Sequence, residues 1–120
     1  MDFGRLDPAG LVCGFFANLI RAHGNSDCFF YAYHLVVRIP VAMDALAEAG
    51  LHITARNVMG VLVGLLTVLY KSIDDDPCPN KDIVHMFWGA LSLKHLNHIE
   101  AHIFLLLINR PNSRRLLFTL

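Results

Sequence analysis

The chain has 120 residues, enough for one domain around one core, and its 55% hydrophobic content is on the rich side for a soluble protein. Ten basic and ten acidic side chains cancel, which excludes a global field for nucleic acid, an anionic membrane surface or an acidic substrate. Cys13, Cys28 and Cys78 are odd in number and far apart, which points away from a disulfide framework or zinc ribbon and toward a reducing, intracellular compartment, cytoplasm or nucleus. The opening MDFGRLDPAG has no basic region leading into a long apolar run, so nothing marks secretion or a transit peptide.

In chain order, Asp7 followed by Pro8 is a cap and first-turn signal. Leu11, Phe15 and Leu19, with Val12, Phe16 and Ile20, make a helical stripe that fades at His23 and Gly24, so a first helix is expected over about Pro8 to Ala22. Ser26 or Asp27 caps a second segment with expected core positions Phe29, Phe30, Tyr33, Val36 and Val37. Pro40 disfavours helical geometry at Ile39, which predicts a kink or break, followed by a short turn of helix through Met43 and Leu46 to a stop at Gly50.

Thr54 opens the central element. From Val58 to Tyr70 (VMGVLVGLLTVLY) there is no charge, and apolar residues cover every side; a helix that is apolar all round is buried all round. Arg56 and Lys71 bracket too few residues for a membrane span, which takes about 20. Gly60 and Gly64 lie one turn apart, a spacing that lets a neighbouring backbone come close. The segment ends in Asp74, Asp75, Asp76, Pro77, Cys78 and Pro79, which cannot continue a helix. Asn80 then caps a short fourth helix through Val84, Phe87 and Trp88, and Ser92 caps a fifth running to Leu107 or Ile108. Strand alternation, internal repeats and low-complexity tracts are absent from the sequence. The expectation is an all-α domain of five helices with the third at its centre and Val61, Leu62, Leu65, Val68, Phe30, Tyr33 and Ile99 in one core.

The fifth helix departs from a plain amphipathic pattern. Leu96, Ile99, Ile103 and Leu107 mark its apolar stripe, and at helical spacing Glu100 falls inside it. A carboxylate there needs a partner, and Lys71, at the end of the long uncharged run, is the natural candidate. The alternative is that both groups sit at the ends of the buried zone and reach water separately.

These features resemble the cyclins, and among them the yeast phosphate-pathway (P/U-type) cyclins with a single cyclin box. The resemblance runs from about Gly10 to Arg110, with a short lead and tail, and is carried by SDCFFYAYHLVVRI, by ITARNVMGVLVGLLTVLYKSIDDD, by Asn80 and by WGALSLKHLNHIE. It implies a five-helix cyclin box and a regulatory subunit that binds and activates a cyclin-dependent protein kinase, with no enzymatic activity, cofactor, nucleic acid or membrane of its own. Lys71 and Glu100 match the lysine and glutamate that face the regulatory helix of the kinase small lobe. Phe104, Leu107 and the loop from Ser72 to Asp75 would form the rim of that face. The chain departs from the family at Val37, Gly60 and Asn109 and lacks a Met-Arg-Ala-Ile-Leu docking motif, so docking of Arg-x-Leu peptides is not implied and a cyclin-fold adaptor with a non-kinase partner is the alternative.

Other chemistry has weaker signals. His95, His98 and His102 share a helical face and could ligate a metal, but no fixed carboxylate or cysteine completes a set, and a solvated polar face is the expectation. Asp74 to Asp76 could attract a divalent cation, but Pro77 and Pro79 mark a solvated turn. Neither a strained Gly-x-Ser-x-Gly turn nor a phosphate-binding glycine loop occurs. A small helical enzyme or metal carrier remains only as a third class.

Overall fold

In the computed structural model the backbone is described for residues 3–23, 28–74 and 76–109, and side chains for 3–21, 32–74 and 76–109. Apolar residues at helical spacing fold into α1 (Pro8–His23), α2 (Cys28–Glu48), α3 (Val58–Ile73), α4 (Asn80–Met86) and α5 (Leu93–Ile108). No strand occurs among the described residues. The architecture is the expected all-α arrangement, with α3 packed against α1, α2 and α5, and α4 packed against α1 and α5. No helix among the described residues is long and apolar enough to cross a membrane.

The first helix starts where its cap places it. Asp7 Oδ1 accepts the Gly10 N–H at 2.7 Å, satisfying one of the first-turn donors that a helix leaves unpaired. Leu11, Phe15 and Leu19 are buried, while Ile20 at the edge of the stripe is 42% exposed.

The second helix corrects two expectations. It runs through Pro40 without the break that the proline allowed; Val36, whose carbonyl loses its helical partner to the proline, is an exposed position where water can take that bond. Its buried face is Leu35, Arg38, Ala42, Ala45 and Leu46, whereas Tyr33, Val36 and Val37 are at least half exposed. The expected Ser26 or Asp27 cap, and the Phe29 and Phe30 side chains, lie outside the described residues. The stop at Gly50 holds: Gly50 takes φ +93°, its N–H bonds the Ala47 carbonyl and the Leu51 N–H bonds the Leu46 carbonyl, both at 3.0 Å. That pairing satisfies the last carbonyls of the helix and needs the left-handed residue.

The central helix begins later than Thr54. Residues 55–57 form a turn in which the Thr54 carbonyl accepts the Val58 N–H at 3.0 Å, and Asn57 occupies the cap position. From Gly60 to Tyr70 every residue is buried. Thr67, inside that run, donates its hydroxyl to the Val63 carbonyl at 2.8 Å, so its burial leaves no orphaned donor. Gly64 is a point of close approach to α5. A β-carbon there would meet Ile99 Cγ2 at 2.6 Å and Ile103 Cγ1 at 2.7 Å, closer than carbon atoms can stand. A fuller side chain would push α5 away.

The short α4 turns out through Trp88, a non-glycine residue at φ 58°, where the Gly89 N–H bonds the Val84 carbonyl at 3.2 Å. The ring of Trp88 covers Gly14 of α1 and occupies the space a β-carbon there would need. Beside it Phe15 stacks on Phe87 (centroids 5.1 Å apart) and meets Tyr70 edge-on at 6.4 Å. Asn18 Nδ2 donates to the Met86 carbonyl at 2.8 Å. These contacts fix α1, the end of α4 and the end of α3 to one another. Ser92 caps α5 as expected, accepting the His95 N–H at 3.1 Å.

Candidate functional site

The close crossing at Gly64 sets the distance between α3 and α5, and with it the position of the charges at their rims. Lys71 leaves the last turn of α3 and its Nζ lies 2.7 Å from Oε2 of Glu100 on α5. The two side chains remain 30% and 19% exposed, so the pair is formed and still reachable from solvent. The alternative in which each group reaches water separately is not the arrangement adopted. A cation in the last turn also meets the negative end of the α3 dipole.

A third residue completes the cluster. Asn80 was expected to cap α4, but it is the first residue of that helix, and the cap position belongs to Pro79, which offers no side-chain bond. Its Nδ2 donates to Asn97 Oδ1 at 2.6 Å and to Glu100 Oε1 at 3.0 Å. Both partners are acceptors, which fixes the amide orientation: the reverse flip would set oxygen against oxygen. Glu100 is therefore held on one oxygen by Lys71 and on the other by Asn80. Asn80 Oδ1 is buried and has no hydrogen-bond partner, an acceptor with capacity left over.

The remaining expected rim residues fall into different positions. Phe104 is partly buried, packed against the core. Leu107 is 0% exposed; as a stripe residue it belongs to the core and supports the face from beneath, so its expected place on the rim is corrected. The Ser72 hydroxyl turns back to donate to the Leu69 carbonyl at 2.7 Å, an ordinary use of serine in a last helical turn. Asp74 Oδ1 accepts the Asp76 N–H at 3.0 Å, and Asp75 lies outside the described residues.

The loop beyond α3 is pinned from below by Tyr70. Its hydroxyl oxygen accepts the Cys78 N–H at 3.2 Å. Burial holds the phenol well above its ordinary titration range, because the phenolate would have to form away from water. Cys13 and Cys78 are free thiols.

His95, His98 and His102 are exposed, as a polar face requires. Among the described residues no three His, Cys, Asp or Glu side chains come together as a metal-holding set. Sequence reasoning found Lys71 and Glu100 but missed Asn80 and Asn97 as their support; the one available signal was that Asn97 lies on the same helix three residues before Glu100. Comparison of the chain with protein-family models, with curated proteins and with solved structures returned no match.

Proposed function

We propose that this chain is a cyclin-like regulatory subunit whose α3–α5 face docks the regulatory helix of a cyclin-dependent kinase small lobe. The observation that carries the reading is the Lys71–Glu100 pair at 2.7 Å, braced by Asn80 and partly open to solvent. These are the two residues that the cyclin resemblance makes partner-facing. Lys71 has three donors and Glu100 two acceptor oxygens, so each can keep its partner and still bond backbone groups of a docked helix. Activation would be a population shift: the subunit binds the kinase conformation in which the regulatory helix is swung inward, where its glutamate pairs the nucleotide-positioning lysine. The chain supplies binding energy and no chemistry.

A second reading, a cyclin-fold adaptor for a non-kinase protein, is favoured by one feature of the same helix. Asn109, exposed at the end of α5, stands where the family places an aromatic residue against the kinase. Mixing the purified chain with a panel of cyclin-dependent kinases and following phosphorylation of a generic substrate separates the two. A rise in turnover with one kinase supports the regulatory subunit. Absence of binding to every kinase, with stable capture of a non-kinase protein, supports the adaptor.

A further inference from the structure

Lys71 belongs to the last turn of α3, and a different feature opens at the first turn, about 16 Å away along the helix axis at 1.5 Å per residue. A cleft of about 360 Å³ lies there between α3 and α5, within the usual size of small-ligand sites. Val61, Ile99 and Ile103 give it an apolar floor. Arg56 and the imidazoles of His95, His98 and His102 stand around it, and no carboxylate lines it among the described residues. The molecule as a whole is neutral, so this grouping of basic side chains is local.

The backbone adds to it. Asn57, at the cap position of α3, spends its side chain elsewhere: Oδ1 accepts the Thr54 N–H at 2.7 Å and Nδ2 donates to the His52 carbonyl at 2.8 Å. The Asn57 and Val58 N–H groups bond the Thr54 carbonyl, and no side chain caps the remaining donors of the first turn, those of Met59 and Gly60. Gly60 in that turn lines the cleft and, having no β-carbon, leaves the backbone open to close approach. A metal is the poorer fit, because the three imidazoles do not converge as a ligand set. A phosphate monoester is the better one: its three terminal oxygens can use a guanidinium, imidazole donors and backbone N–H groups together, while the apolar floor takes its organic part.

We propose that the cleft between the first turn of α3 and α5, ringed by Arg56, His95, His98 and His102, binds a small organic phosphate monoester. It does not depend on the kinase reading, since it shares no residue with the Lys71–Glu100 cluster. The test is titration of the full chain with phenyl phosphate, followed by the Gly60 amide and the three imidazole resonances in NMR spectra. The expected result is saturable shifts at those groups. Inorganic phosphate should shift the same groups with weaker binding, and benzoate should bind roughly tenfold more weakly because two oxygens replace three. Arg56→Gln, at an exposed position outside the helix, should keep the spectrum of the folded chain and weaken phenyl phosphate by roughly tenfold or more. His98→Gln gives a second variant with the same expected direction. Failure to saturate, shifts centred elsewhere, or unchanged affinity in both variants overturns the proposal. Tighter binding of a phosphotyrosine peptide than of phenyl phosphate overturns the small-molecule assignment.

Discussion

Asn80 is the residue whose removal separates support from attraction in the charged cluster. Asn80→Ala takes away the bond to Glu100 Oε1 and the bond to Asn97 but leaves Lys71 in place, and should cost about 0.5–1.5 kcal/mol in chemical denaturation. Asn80→Asp is expected to cost more, because it sets a second carboxylate against Glu100. Tyr70 gives a pH-dependent test. Its buried phenol keeps its proton to higher pH in the folded chain than in the unfolded one, so the stability it contributes is complete below the ordinary tyrosine value of about 10 and is lost as pH rises above it. Tyr70→Phe should remove that alkaline loss, at a cost near neutrality of about 0.5–1.5 kcal/mol for the bond to Cys78; stability measured between pH 8 and 11 for both proteins checks this. At this scale the sequence was readable where a residue broke its local pattern. Glu100 stood out inside an apolar stripe and named its own need for a partner. Asn80 did not, because its partners lie 17 and 20 residues away and only the path of the loop after α3 brings them together.

Helices were legible in proportion to how unevenly their apolar residues are distributed, or how completely they are apolar. The α3 burial followed from its lack of any polar side, and the α5 face from Leu96, Ile103 and Leu107, all nearly inaccessible. The α2 face was not legible. Its apolar residues occur on every side, and the side that is buried holds two alanines and Arg38, so periodicity pointed to the larger residues Tyr33, Val36 and Val37, which stay exposed. Which side of α2 is buried is decided by its packing on the other helices, a tertiary fact. The close approach of α5 to α3 makes Gly64 a sensitive position. Gly64→Ala gains up to about 1 kcal/mol of helix propensity but drives a methyl into the stiff γ-carbons of Ile99 and Ile103, an overpacking cost of about 1–3 kcal/mol. The expected outcome is a lower denaturant midpoint. Leu65→Ala, at a site with 0% exposure, should cost about 2–5 kcal/mol through the cavity it leaves; an unchanged midpoint would remove Leu65 from the core.

Across the whole molecule, α3 and α5 together carry a core stripe, a charged cluster at the end of α3 and a histidine-lined cleft at its beginning. These parts should respond independently. Changing His95, His98 and His102 together to glutamine should shift stability by no more than about 0.5 kcal/mol per exposed position and leave kinase binding intact, as thermal melting and a binding isotherm will report. Lys71→Ala and Glu100→Ala should do the reverse. Each leaves its partner under-compensated beneath a docked helix, which costs roughly 2–5 kcal/mol of binding, while folding suffers less because the pair sits at the edge of the core. The most direct test is calorimetric titration of a cyclin-dependent kinase with the unaltered chain, with each single variant and with the double variant, alongside their melting temperatures. On the kinase-docking proposal, binding is measurable and falls by roughly thirtyfold or more in either single variant, with the melting transition retained. Unchanged affinity in folded single variants, or no affinity of the unaltered chain for any cyclin-dependent kinase, would overturn that proposal.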